Sequence, residues 1–168
     1  MASIPAADLV ARLTVAGQTV AVAESLTGGL VTAALTDVAG ASVVVRGSVV
    51  AYATDLKSQV LGVDAALLAR VGAVDADVAE QMARGVRSLM GATYGLATTG
   101  VAGPDPAGGK AVGTVYVAVV GPGSSRVKSL YLSGGRGDIR AQSVLAVLAL
   151  LAEELDAQAR EEPPDVNG

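Results

Sequence analysis

The sequence predicts an α/β fold: a layered single domain with a mixed β-sheet flanked by helices. Three observations carry this. Short β-branched runs alternate with stretches of helical period through residues 4–98, the pattern that places strands side by side in parallel. Two more strand-like runs, 112–120 and 126–132, then flank Gly121-Pro122-Gly123-Ser124, a hairpin signal that adds antiparallel pairing. Finally, 51% of the 168 residues are hydrophobic against 17% charged, a balance that argues against disorder and suits one core.

Taken in order, residues 4–16 read as a helix, with Leu9, Val10 and Leu13 at helical spacing and Gly17 as its stop. Residues 19–23 form a continuous small and β-branched run, the mark of a buried strand. Glu24-Ser25-Leu26-Thr27-Gly28-Gly29 follows, with Thr27 as a candidate N-cap. Then Leu30, Val31, Ala34, Leu35 and Val38 share a helical face that Gly40 ends. Residues 43–53 are β-rich, and Gly47 inside them signals a bulge. Thr54-Asp55 suits the cap of a short helix carrying Lys57, and residues 64–70 suit another turn or two. Asp75 caps a longer helix whose buried face is Val78, Met82, Val86 and Leu89. A strand over 93–98 leads into a loop over 100–110 with four Gly and two Pro. After the hairpin, residues 138–159 form the last helix, with Leu145, Leu148, Leu151 and Leu155 toward the core. The domain is expected to span 1–160, and the Pro-rich, charged 161–168 to be a disordered tail.

The most informative counts are zeros: no Cys and no His. They remove disulfides, the usual zinc ligand sets, thiol catalysis and every Ser-His-Asp arrangement. A covalent step would need Ser, Thr, Lys, Tyr or a carboxylate as nucleophile, and a general base would be Lys, Tyr, Asp or Glu. The net charge of −4 disfavours bulk electrostatic binding of nucleic acid, and four Tyr without Phe or Trp offer few platforms for stacked bases. The longest apolar run, nine residues over 144–152, is far short of the ~20 that span a membrane. No basic stretch followed by an apolar one opens the sequence, so a cytoplasmic location is expected.

Four places could carry chemistry. Ser25 sits where a strand meets a helix, and the glycines after it leave N–H groups able to hold an oxyanion or a phosphate; the same residues also suit a plain helix cap. Tyr52 ends a strand and Lys57 lies one turn into the next helix. Without His, Lys57 is the natural base for a serine once its pKa falls toward ~7–8, though lysines at such positions are often simply solvated. The loop Thr98-Thr99-Gly100-Val101-Ala102-Gly103-Pro104-Asp105 reaches the same edge as Ser25 if the strands are parallel. It lacks the P-loop pattern, and a plain surface loop fits it equally well. Arg136 and Arg140, four apart, can grip a phosphate or carboxylate, or form an exposed charged face.

Together these motifs resemble the C-terminal domain of the CinA family. The resemblance lies in Ala23-Glu24-Ser25-Leu26-Thr27-Gly28-Gly29, Gly47-Ser48-Val49-Val50-Ala51-Tyr52 with Lys57 and Gly62-Val63, Gly72-Ala73-Val74, Thr99-Gly100-Val101-Ala102-Gly103-Pro104 and Val112-Gly113-Thr114-Val115. It covers about residues 5–157. It implies a nicotinamide-nucleotide amidohydrolase, the activity of stand-alone members, which turn nicotinamide mononucleotide into nicotinate mononucleotide and ammonia. It also implies catalysis by a serine with Lys and Tyr, hence Ser25, Lys57 and Tyr52, with no metal and no cofactor. Leu26 and Ala53-Thr54 depart from the usual family residues, a small polar residue or Cys after the serine and Ser-Asn after the tyrosine. Thr27, Gly28, Gly29, Thr99, Gly100, Gly103, Arg136 and Arg140 are the expected substrate-binding residues. The expected partners are a small-molecule nucleotide and further copies of the chain (a homo-oligomer), with no nucleic acid and no membrane. The alternative is a non-catalytic module that binds a nucleotide or a protein partner in competence or damage response.

Overall fold

A computed structural model describes residues 6–161. The elements are α1 (Ala6–Ala16), β1 (Val20–Glu24), α2 (Leu30–Thr36), β2 (Val45–Val50), α3 (Thr54–Gln59), α4 (Ala65–Val71), α5 (Ala76–Met90), β3 (Tyr94–Gly100), β4 (Thr114–Gly121), β5 (Ser124–Tyr131) and α6 (Arg136–Glu161). The strands form one sheet in the order β2-β1-β3-β4-β5. β1 is parallel to both β2 and β3, and β4 is antiparallel to β3 and β5. The expected mixed sheet is therefore present, with the hairpin at one edge.

Alternation along each strand divides the core into two layers. Val20 and Val22 of β1 join Leu96, Val117 and Val119 under α1, α2 and α6. Ala21 and Ala23 join Ala97 and Ala118 beneath the helices that precede β3. The small residues on this second face let α5 come unusually close. A Cβ added to Gly95 would lie 2.0 Å from the Ala83 carbonyl oxygen and 2.7 Å from Arg87 Cβ. Gly95→Ala is accordingly expected to lower stability by about 3 kcal/mol, because the helix must be displaced to admit the methyl group. Denaturant unfolding would show it as a fall in the transition midpoint.

Several boundaries differ from the sequence reading, each for a local reason. Thr27 does not cap α2. Gly29 holds the N-cap position with φ 106° and no side-chain bond, and the Thr27 hydroxyl is engaged elsewhere. α2 stops at Thr36, before Val38, and Leu30 is partly exposed. Ala53, not Thr54 or Asp55, is the N-cap of α3. Asp75 does cap, accepting from Asp77 N, and Asp64, which the sequence reading placed inside the short helix, caps it by accepting from Ala66 N. Leu89 and Leu145, both expected in the core, are 55% and 51% exposed, since each lies just off the stripe that faces the sheet. The bulge falls at the expected place: Val20 faces Val45 and Ala21 faces Gly47, leaving Arg46 as the extra residue. The tail reading falls on 161–168, of which 162–168 lie outside the described residues. Among the described residues no helix is long and apolar enough to cross a membrane.

Candidate active site

Parallel pairing of β2, β1 and β3 brings their carboxyl ends to one edge, where open α/β sheets bind ligands. Ser25 follows β1, Ala51 and Tyr52 follow β2, and the loop from Val101 follows β3. The start of α6 reaches the same edge and brings Arg136. These residues line a cleft of about 260 Å³ that holds Ser25, Tyr52, Lys57, Gly103, Asp105 and Arg136. A larger hollow of about 610 Å³ lies elsewhere, along α5 near Arg84, and contains none of the candidate residues.

Lys57 reaches into the cleft from α3 and is fully buried. Its Nζ donates to Ser25 Oγ at 3.0 Å and to the Ala51 carbonyl oxygen at 2.6 Å. Neither partner is charged, and no ion pair to Lys57 exists among the described residues. Burial without a countercharge penalises the ammonium form and lowers the pKa from 10.5 to about 8. A fraction of the amines is then neutral near pH 7, and a neutral amine can donate one N–H to Ala51 while its lone pair takes the Ser25 proton. The solvated alternative for Lys57 does not hold.

Tyr52 is placed differently from its expected role. It stands at the rim, 59% exposed, and its hydroxyl accepts from Arg136 Nη2 at 3.0 Å. It makes no hydrogen bond with Ser25 or Lys57. Arg136 Nη1 also donates to the Gly103 carbonyl at 2.8 Å, so the guanidinium ties the two walls of the cleft together. Arg140 is not in the cleft. Its Nε donates to the Leu26 carbonyl at 3.0 Å and its Nη2 to the Thr27 carbonyl at 3.2 Å. Thr27, fully buried, and Gly28 and Gly29, which shape the turn behind Ser25, do not line the cleft. Thr99 and Gly100 do line it, but the Thr99 hydroxyl donates to the Ala73 carbonyl at 2.6 Å, joining the loop before α5 to β3.

The turn that presents Ser25 rests on Glu24 and Thr32, to which the sequence reading gave no role, together with Thr27 and Thr98. Glu24 is fully buried, and its Oε1 accepts from the Thr27 hydroxyl at 2.6 Å and Val31 N at 2.9 Å. Its Oε2 accepts from Thr32 N at 3.1 Å and the Thr32 hydroxyl at 2.7 Å. Because Thr27 donates to Glu24, the buried Thr98 hydroxyl, 2.8 Å away, donates to Thr27. The carboxylate thus fills the capping role at α2 that Gly29 cannot. One signal was available: a charged residue closing an otherwise apolar buried strand, with threonines three and eight positions later.

Fold and site together define an α/β domain with a buried serine–lysine pair at the carboxyl edge of a mixed sheet. The model of the CinA C-terminal domain matches residues 3–155, and the chain belongs to that family. It is 53% identical to a CinA-like protein of Frankia casuarinae over 137 residues, 82% of this chain and 32% of that one. It is 47% identical to a putative competence-damage inducible protein of Shouchella clausii, over 86% of this chain and 35% of that one. The chain thus spans about a third of the length of these curated relatives. Among solved structures, a competence/damage inducible protein of Agrobacterium tumefaciens superposes with a TM-score of 0.85 at 36% identity, covering 90% of this chain and 93% of the other. A CinA superfamily protein of Klebsiella pneumoniae gives 0.87 at 31% identity, covering 90% and 96%.

Proposed function

We propose that this chain is an amidohydrolase that converts nicotinamide mononucleotide to nicotinate mononucleotide and ammonia. The observation that carries the reading is the 3.0 Å contact between Ser25 Oγ and a buried lysine that lacks a countercharge. The neutral Lys57 amine takes the Ser25 proton as Oγ bonds to the carboxamide carbon. The tetrahedral oxyanion then collapses. The C–N bond breaks, and the nitrogen leaves as ammonia with the proton returned by Lys57. Lys57 next deprotonates a water, which attacks the ester. The ester C–O bond breaks, Ser25 recovers its proton from Lys57, and nicotinate mononucleotide is released.

The oxyanion needs donors that are not already engaged. Among the described residues, the N–H group of Leu26, which lines the cleft, has no acceptor, nor do those of Ala102 and Gly103 on the facing loop. Arg136 is the cation in the cleft, and only two of its five N–H groups are occupied, which leaves donors for the 5′-phosphate. Tyr52 then serves by holding Arg136 at the rim.

The deciding measurement is ammonia release from nicotinamide mononucleotide by purified protein with EDTA present. Steady release is expected. Release that stops with chelator and returns with a divalent ion would refute the serine–lysine route, and tight binding without consumption would favour the non-catalytic module.

A further inference from the structure

We infer that Arg140 is a positioning residue that strengthens the oxyanion donor behind Ser25, the Leu26 N–H, and that it is not a ligand of the substrate. This rests on the amidohydrolase reading. Its basis is the direction of the hydrogen bonds in the turn. The Leu26 carbonyl and the Thr27 N–H belong to one peptide unit. Arg140 Nε donates to that carbonyl and fixes the peptide beside the nucleophile, while the Thr27 N–H itself is fully buried outside the cleft.

The second bond strengthens the donor that does line the cleft, the Leu26 N–H, in two steps. Arg140 Nη2 donates to the Thr27 carbonyl, whose peptide carries the Gly28 N–H. The Gly28 N–H donates to the Ser25 carbonyl at 3.1 Å, and the Ser25 peptide carries the Leu26 N–H. This chain of bonds starts at the guanidinium and ends on the Leu26 N–H, which lines the cleft immediately after the nucleophile and has no acceptor among the described residues. Gly28 shapes the turn with φ 59°, in the left-handed region that favours glycine, and a Cβ there would rest in contact with Arg140 Nη2 at 3.4 Å. From the other side, Glu24 and Thr98 hold the Thr27 hydroxyl, so the peptides are fixed between an anion and a cation.

The test compares Arg140→Ala with Arg136→Ala. Arg140→Ala should lower kcat roughly tenfold to a hundredfold, less than the ~10²–10³ of deleting an oxyanion donor outright, with KM for the nucleotide unchanged. The ratio of kcat/KM for the nucleotide to that for the phosphate-free riboside should also stay unchanged, whereas Arg136→Ala should collapse it. In a Ser25→Ala background, which holds substrate without turnover, removing Arg140 should leave the nucleotide Kd unaltered. Added guanidinium ion should restore part of the lost kcat. If Arg140→Ala does not fold, Arg140→Lys keeps a cation and one donor and should show an intermediate kcat at the same KM. A raised KM or Kd, a collapsed ratio, or an unchanged kcat would overturn the inference in either variant. Wild-type protein that releases no ammonia would overturn the amidohydrolase reading and this inference with it; an active wild type with any of those variant results overturns the inference alone.

Discussion

Ser25→Ala is expected to reduce ammonia release by about 10⁴-fold or more while leaving the fold in place. The substitution removes the atom that bonds to the carboxamide carbon, and no neighbouring threonine hydroxyl is free to replace it. The Thr27 and Thr98 hydroxyls are committed to the Glu24 network, and that of Thr99 to Ala73. Nucleophile deletions in other serine hydrolases cost up to ~10⁶ in kcat. Stability should fall by only about 1 kcal/mol, since one neutral acceptor of Lys57 is lost and the Ala51 carbonyl remains. Circular dichroism and a melting curve measured beside the ammonia assay separate the two effects. A variant that keeps near-normal turnover would end the covalent mechanism.

Lys57→Met is expected to separate function from stability in opposite directions. Loss of the base should lower kcat by about 10²–10⁴-fold. The folded protein should become more stable at neutral pH by about 1–2 kcal/mol. The sign follows from proton linkage. The Lys57 pKa is about 8 in the folded protein and near 10.5 when unfolded. Below pH 8 the amine is charged in both states, and burying that charge costs the folded state about 3 kcal/mol. Between pH 8 and 10.5 the unfolded chain binds more protons, so wild-type stability rises with pH across that window. Methionine removes the cost but leaves the Ala51 carbonyl without its donor, which offsets about 1 kcal/mol. The advantage of the variant should therefore be largest below pH 8 and fade toward 10.5. Denaturant unfolding at pH 7 and pH 10 checks this. In the wild type, kcat/KM should climb with pH and level off above about 8, as the neutral amine becomes the major form. A variant no more stable at pH 7, or a rate profile flat from pH 6 to 9, would contradict a buried lysine base.

The order and type of the elements were legible because each is written in local pattern. The Val20 to Ala23 run, the Asp75 cap and the hairpin at Pro122-Gly123 depend on neighbours a few residues away. Leu89 and Leu145 were misplaced because a helical stripe wider than its partner looks the same in sequence as one that fits.

For the candidate site, the sequence by itself determined the available chemistry. With no His and no Cys, a serine at a strand end could turn only to a lysine, a tyrosine or a carboxylate for a base. Which of these Ser25 meets was decided by the tertiary structure. Placing β2 next to β1 sets the start of α3 beside Ser25, so that Lys57 arrives buried at 3.0 Å while Tyr52, five residues earlier, is left at the rim against Arg136. The two arginines show the same division. Four positions apart, they are equivalent on a helical wheel, yet one lines the cleft and the other holds the turn behind the serine. Strand order and the depth at which α6 docks settle that difference, and both arise from packing between segments distant in sequence, more than a hundred residues for α6 and the turn after Ser25, which no local periodicity encodes.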